Sequence, residues 1–329
     1  MSFKQSNLKT QILLVVVSLF LFIIKILAWY ITSSVAILTD AMESTVNVLA
    51  GFIGLYSLYI SSKPRDVEHP YGHGKVEFIS SAFEGILISI AGLLIIYKAT
   101  INLFSPQDIQ KLDLGFVLIL FSGIVNYFIG RYCVAKGKKG NSPVLISSGK
   151  HLISDTYSTL GLLLGLILMM ISNLKWIDSI VAIIFAFVII YTGYKIIKQS
   201  ISGMMDETDM QIIEEVKNVL NQHRAENSIW IDVHNMRIIN YSGFYHIDCH
   251  LTLPYYFNVK QGHDEMEKMV FLLNKHFNNQ VEFFIHIDPC QDFQCAICLY
   301  QNCDKRKNPF TKQIIWTKEN VLNNTKHFL

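Results

Sequence analysis

The sequence predicts an α-helical membrane protein of six transmembrane helices followed by a small cytoplasmic α+β domain. Three observations predict it. Of 329 residues, 51% are hydrophobic and only 16% are Asp, Glu, Lys or Arg, where an ordinary soluble domain carries about 25% charge. Mean hydropathy is +0.33. The apolar excess is also uneven: long apolar runs alternate with short polar links up to about residue 201, after which the composition turns soluble. This pattern excludes a secreted globule, a disordered chain and a soluble enzyme of uniform texture. A net charge of +2 and a pI near 8.1 are too mild to point to nucleic acid. No phosphate-cradling Gly-rich loop is present, so nucleotide is not an expected partner.

A helix crosses a bilayer with about 20 mostly apolar residues. Six stretches qualify: 12–31, 36–60, 78–101, 113–135, 145–171 and 177–198. The first is too long for a removed signal peptide, and no small-residue cleavage site follows it. Lys4 and Lys9, then Lys63, Arg65 and Lys75, then Arg131, Lys136, Lys138 and Lys139, then Lys195 and Lys198 fall on one side; the opposite links hold only Lys111 and Lys175. The excess of basic residues marks the cytoplasmic side, which places both termini there in a multi-pass protein of the cell (inner) membrane. Lys25 lies inside span one and must face protein, a water-filled cavity or the interface.

An ionisable group at membrane depth costs a few kcal/mol even on a lenient insertion scale, so those that remain need a reason. Span two carries Glu43 and Asn47, and span five carries His151 and Asp155, each pair spaced i, i+4 on one helix face. Brought together, two carboxylates, an amide and an imidazole make about the donor set that a tetrahedral divalent transition metal needs. The alternative is four separate polar residues joining helices by hydrogen bonds. Asp40, one turn before the pair, is expected to line the same cavity. Glu84 in span three is expected to pair with Lys25, to serve a proton path or to make a structural hydrogen bond.

After span two, Asp66, His69 and His73 have a metal-like spacing, although a solvated loop with incidental histidines has the same pattern. From Asp206 onward, "DMQIIEEVKNVLNQH" reads as a helix, "IDVHNMRIINYSGFYHIDCHLTL" as two strands around a Tyr-Ser-Gly turn, "KQGHDEMEKMVFLLNKHF" as a helix and "VEFFIHIDP" as a strand. The order α-β-β-α-β is that of a small α+β sandwich. His234 falls on the first strand, His246, Asp248 and His250 on one face of the second, His263 at the helix start, and His286 with Asp288 on one face of the third. Cys290, Cys295, Cys298 and Cys303 follow as CX4CX2CX4C. Four such thiols can close a tetrahedral structural metal site, with free thiols or redox pairing as the alternatives. Beyond the basic run at Lys305 to Lys307 the chain shows no clear core and is expected to be loosely ordered.

With these residues in view, the sequence resembles the cation diffusion facilitators. The resemblance rests on "SSVAILTDAMES" in span two, "KPRDVEHPYGHGKVE" after it, "HLISD" in span five, "SGMMDE" after span six and "HIDP" near the end of the soluble part, in the right order over residues 10–290. It implies a homodimeric efflux transporter, not an enzyme, of the bacterial zinc- or iron-exporting kind. Such a protein moves a divalent transition metal in exchange for protons. Its cytoplasmic domain would have the metallochaperone-like (ferredoxin-like) form, and the partners would be a second copy, the lipid bilayer, metal ions and protons. By the same resemblance the transported ion would sit between Glu43, Asn47, His151 and Asp155, and a second ion on Asp66, His69 and His73. Lys75 would pair with Asp206 between the two halves. A dimer-interface site would use His234, His250, His263, His286 and Asp288.

Zinc is the first expectation for both the transported and the regulatory ions. Glu and Asn in span two depart from the His or Asp followed by Asp common in zinc transporters, and one imidazole with three oxygens suits Fe, Mn, Co or Zn over Cu(I). His151 must lose its proton to bind metal, which couples the two ions. Residues 1–205 are expected to form the transport domain, 206–289 the dimerisation and metal-sensing domain, and 290–329 a Cys-rich tail. The alternative function is a membrane-anchored metal sensor or scaffold without transport.

Overall fold

The computed structural model describes residues 3–32, 35–104, 112–172, 176–224, 226–242 and 244–329. They form two compact units, Met1–Met205 and Asp206–Leu329. The first consists of six long helices: α1 (Phe3–Thr32), α2 (Val35–Ser61), α3 (Val76–Phe104), α4 (Leu112–Lys139), α5 (Pro143–Ser172) and α6 (Trp176–Met204). At about 1.5 Å per residue each is long enough to cross a ~30 Å hydrocarbon layer. Among the described residues, Ser6–Leu27, Val76–Phe104 and Ala182–Met204 are long and apolar enough to do so on composition alone.

Burial in this unit is inverted relative to a soluble bundle. Large apolar side chains such as Phe20, Leu27, Leu93, Leu94, Phe187 and Tyr191 point outward, while Gln11, Ser57, Glu77, Glu84, Ser122, Asn126 and His151 are buried. That is the arrangement a lipid surround selects, because polar groups must find partners within the protein.

Small residues let the helices approach closely. A Cβ on Gly149 of α5 would lie 2.7 Å from the carbonyl oxygen of Gly130 on α4, and one on Gly193 of α6 would lie 2.8 Å from that of Gly85 on α3. Both crossings are therefore backbone against backbone, which small residues permit in a setting where packing rather than hydrophobic exclusion drives helix association. Gly149 stands two residues before His151 and so fixes the depth of α5 against α4.

Lys25, expected to need a partner, is buried and donates to Ser44 Oγ at 2.8 Å. Glu84 resolves toward the structural reading: Ser148 Oγ donates to it at 2.6 Å, and Ser147 Oγ donates to its other oxygen. Glu77, which the sequence reading passed over, accepts from Ser61 at 2.7 Å and from Ser142.

The second unit runs α7 (Met210–Arg224), β1 (Asp232–Asn240), β2 (Tyr245–Leu253), α8 (Val259–His276), β3 (Val281–Pro289), a 3-10 turn (Asp292–Ala296) and a short α9 (Lys318–Leu322). The sheet order is β1-β2-β3, with β1 and β2 antiparallel and β2 and β3 parallel. A parallel pair needs a crossover, and α8 supplies it. Asn258 opens α8 with a reciprocal capping box to Gln261. Ile213, Val216 and Leu220 of α7, Met269 and Leu273 of α8, and the inward residues of all three strands fill one core.

The segment after the basic run corrects the expectation of loose order. Trp316 and Val321 are buried in that same core. The Arg224 guanidinium lies 4.1 Å from the Trp316 ring centroid, donates to Ile231 O at 2.7 Å and also donates to Ile314 O. Asn235 N–H donates to Asn323 O at 2.7 Å. A single tryptophan and a cation stacked on it anchor this segment, and two isolated positions leave no periodic signal in a sequence.

Trp316→Ala is expected to destabilise the soluble unit by about 3–5 kcal/mol. Amide hydrogen exchange on the full-length protein should show faster exchange in β1 and α7. Unchanged protection there would mean that the segment merely rests on the core. Gly149→Leu should separate α4 from α5 and lower the thermal stability of the membrane unit while leaving exchange in the soluble unit unchanged.

Candidate metal centres

In the membrane unit, Asn47 of α2 and His151 and Asp155 of α5 come together, all three buried. Asn47 Nδ2 donates to Asp155 Oδ2 at 2.5 Å, and His151 Nε2 lies 3.7 Å from Asp155 Oδ1. Asn47 Oδ1 is buried without a hydrogen-bond partner. An orphaned amide oxygen in a buried site carries a desolvation cost of about 1–3 kcal/mol, and a cation seated beside Asp155 would relieve it. The side chains of Glu43 and Asp40 lie outside the described residues. Glu43 stands one turn before Asn47 on α2.

The loop between α2 and α3 brings its three residues together. Asp66 Oδ1 is 3.0 Å from His69 Nδ1, Asp66 Oδ2 is 3.3 Å from His73 Nε2, and the two imidazole centroids are 4.2 Å apart. The ligand atoms lie within 4.8 Å of one another. The backbone N–H of His69 donates to Asp66 at 2.7 Å and, ahead of the imidazoles, holds that carboxyl below its usual range. Lys75 lies in the same loop, and Asp206 opens the second unit with a left-handed backbone.

In the soluble unit, three histidines form a row across the sheet. His234 pairs with His250, and His250 with His286, at one register. Their ring centroids are 5.1 and 4.7 Å apart. Asp288 Oδ2 reaches His250 Nδ1 at 3.0 Å and His234 Nε2 at 3.3 Å; its other oxygen is 3.5 Å from His286 Nε2. His234, His250 and Asp288 hold their ligand atoms within 4.8 Å of one another. His263 lies on the exposed face of α8, outside that group. His246 keeps company with Asp248 at 2.8 Å and Glu282 at 3.6 Å.

Sequence reasoning missed the groups that hold this row in place. A β-bulge falls between His234 and Arg237, with Asn235 at φ 51°, and Asn235 Nδ2 stands 3.1 Å from His250 Nε2. Bulges re-aim side chains beside sites. Asp232 is buried behind His234, 3.3 Å from its Nδ1, and accepts the backbone N–H of His327 at 2.9 Å and the His327 ring as well. Burial alone would raise the Asp232 carboxyl, but the adjacent His234 imidazole and the hydrogen bonds from His327 outweigh it and hold the group below its usual range. For His327, burial lowers the imidazole, yet contact with Asp232 wins and raises it. A carboxylate on Nδ1 fixes the tautomer that presents Nε2 to an ion. The only trace in the sequence is the Asp-x-His spacing at 232–234.

Cys290, Cys295, Cys298 and Cys303 line one cavity together with Tyr300 and Arg306, and all four are free thiols.

Comparison with known proteins follows this geometry. Residues 12–205 match the family model described as the cation efflux transmembrane domain, and residues 208–290 match that of the cation efflux protein cytoplasmic domain. The chain is 27% identical to the manganese efflux system protein MneP of Bacillus subtilis, over 87% of this chain and 97% of that protein. It is 27% identical to an uncharacterized transporter of Synechocystis, over 82% of this chain and 86% of that one. It is 32% identical to the magnetosome protein MamM of Paramagnetospirillum magneticum, over 59% of this chain and 61% of that protein.

Asp232→Asn should weaken Zn2+ binding at the His234, His250 and Asp288 group by about 10–100-fold, the usual cost of losing an outer carboxylate. Titration calorimetry on the purified full-length protein reads this out. An unchanged affinity would mean that Asp232 serves the fold alone.

Proposed function

The chain belongs to the cation efflux family of divalent metal transporters, and we propose that it carries Mn2+ out of the cytoplasm in exchange for protons. The ion would be held by Glu43, Asn47, His151 and Asp155. The observation that carries this reading is the buried convergence of Asn47, His151 and Asp155, with Asn47 Oδ1 left without a partner.

The donor set speaks to the metal. With neutral His151, the two carboxylates balance one divalent ion, and Asn47 adds a neutral oxygen. Three oxygens and one nitrogen are harder than the two-imidazole sites that favour zinc, and carboxylate and carbonyl donors suit Mn2+. The likeness to a protein named as a manganese efflux system points the same way. Fe2+, Co2+ and Zn2+ are the competing cargoes, and zinc ranks behind manganese in this proposal.

Coupling to protons follows from ligand chemistry. An imidazole gives up its proton to bind metal and regains it when the ion leaves. Facing the cytoplasm the site loads metal; facing a more acidic exterior it takes a proton and releases the cargo. His151 is the proposed carrier, and helix groups moving against each other supply the alternating access. Both termini lie in the cytoplasm on the distribution of Lys and Arg. The soluble unit joins two copies into a homodimer and senses metal at the His234, His250 and Asp288 group. The loop site at Asp66, His69 and His73 is exposed and suits metal collection.

Reconstitution in proteoliposomes tests the reading with a panel of Mn2+, Fe2+, Co2+ and Zn2+, with and without a pH gradient. Saturable Mn2+ uptake that responds to the gradient and falls at least tenfold in Asp155→Ala is expected. Absence of flux for every metal would favour an anchored sensor. Asn47→Asp should move Zn2+ up the ranking, and an unchanged ranking would remove Asn47 from selectivity. His151→Asn should lose the pH dependence; a variant that keeps it would leave the proton to Glu43 or Asp155.

A further inference from the structure

We propose that Cys290, Cys295, Cys298 and Cys303 bind one tetrahedral Zn2+ as a four-thiolate structural site, separate from the transport pathway. Residues 291–329 lie beyond the stretch matched by the family's two domains, so three of the four cysteines fall outside it and Cys290 is its last residue.

The argument begins with what the sulfurs accept. The backbone N–H of Lys307 donates to Cys295 at 3.5 Å, and the Tyr256 hydroxyl donates to Cys303 at 3.4 Å. Two of the four sulfurs, Cys295 and Cys303, therefore have their own donor. Neutral thiols are weak acceptors and need none of this. Sulfurs that carry metal-bound negative charge do, and such outer donors orient ligands and stabilise their charge.

The chain around the sulfurs is fixed as well. Cys290 N–H donates to Leu253 O at 2.9 Å, which continues the sheet one residue past β3. Cys295 sits on the 3-10 turn, and Cys298 N–H points back to Cys295 O at 3.4 Å. The two form a knuckle of the CX2C kind. Arg306 grips this knuckle from outside, donating to Cys295 O at 2.7 Å, Cys298 O at 3.0 Å and Tyr300 O at 2.9 Å.

Positive charge stands near the sulfurs. Zn2+ binding by four thiols releases four protons and leaves a complex of charge −2. Arg306 stands against it, with Lys305 and Lys307 on either side in sequence. That gives the basic run a purpose beyond solubility. Among the described residues the sulfurs do not converge as tightly as the two histidine groups do. Closing them to a Zn–S distance of about 2.3 Å requires side-chain rotation around the shared cavity. Four soft donors select Zn2+ over Mn2+.

The site also has something to hold. It begins two residues after Asp288. The chain it anchors goes on to place Trp316 in the core, Lys326 Nζ 2.8 Å from Pro289 O and 3.9 Å from Asp288, and His327 on Asp232.

The test uses the reduced full-length protein. Replacement of zinc by Co2+ should produce the thiolate-to-cobalt charge-transfer absorption of a four-sulfur site. Zn2+ should protect the four cysteines from iodoacetamide, and a chelator should expose them. Cys298→Ser and Cys303→Ser should each lose one zinc per chain by elemental analysis and lose the cobalt band, while Cys249→Ser keeps both. The protection assay on the unaltered protein decides the matter if a variant misfolds. Alkylation unaffected by Zn2+, or disulfides among these residues in mass spectra of non-reduced protein, would overturn the proposal. Mn2+ transport that persists after loss of the site supports its separation from the transport pathway. Loss of transport in Asp155→Ala with the cobalt band intact shows that the two sites are independent.

Discussion

The membrane unit depends on one constraint: ionisable side chains at helix depth must find partners there, because lipid offers none. Asp155 is met by the Asn47 amide and approached by His151. Glu84 is met by two serines of α5, and Glu77 by a serine from each of two other segments. Three of these partners, Ser147, Ser148 and His151, come from α5, whose approach to α4 is set by Gly130 and Gly149. Removing one partner would leave a charge or dipole unpaired where it costs most. The polar interior thus fixes helix positions as firmly as an apolar core does in a soluble protein. Within it, Asn47 Oδ1 is left open beside Asp155, and Gln11 Oε1 and the hydroxyls of Ser57, Ser122 and Ser154 are also without a partner. A site completed by its cargo is what a transporter needs, since full internal satisfaction would leave nothing for the ion to do.

The soluble unit solves the opposite problem. Its core is conventional, and polar groups are concentrated at one row across the sheet. There, three histidines at one register share Asp288, and a second carboxylate, Asp232, stands behind the first of them. Asp232 is buried and stays ionised because His234 and His327 both serve it. The last residues of the chain thereby bear on the orientation of His234. The extension is part of this unit's architecture, since its tryptophan sits in the core and its histidine reaches the carboxylate behind the row.

How much of this the sequence displays depends on whether a feature repeats. Six apolar runs, the α-β-β-α-β order and the i, i+4 pairs at Glu43/Asn47 and His151/Asp155 all follow helix or strand periodicity, and they are legible. So is the shared face of His286 and Asp288. The bulge at Asn235 is not legible, because it inserts one residue against the period and an ordinary Asn carries the positive φ. Arg224 stacked on Trp316 joins residues 92 apart in the chain with no local pattern. The serines that hold Glu77 and Glu84 are small polar residues of a kind that also fills helix interfaces generally, so their pairing emerges only from packing. His263, a ligand only on the family resemblance, lies exposed on α8 and outside the group that His234, His250 and Asp288 form within one chain.

The three kinds of donor set divide metals by hardness, and that division lets one chain use more than one ion without confusion. As proposed, the oxygen-rich set of Glu43, Asn47, His151 and Asp155 would make a modest site for a hard ion, and a transport site must be modest, since cargo bound too tightly is never released. The proposed four-thiolate set would make the strongest site for a soft ion, and a structural site must be strong, since it has to stay filled when free metal is scarce. Raw affinity rises from Mn2+ toward Zn2+ for almost any ligands. A cell that exports manganese through such a protein therefore risks zinc occupying the pathway. Asn47 in place of a carboxylate removes one negative charge from the pathway, lowering the affinity for every divalent ion and shortening the stay of the tighter-binding one. Selectivity in this arrangement comes less from preferring manganese than from declining to hold zinc.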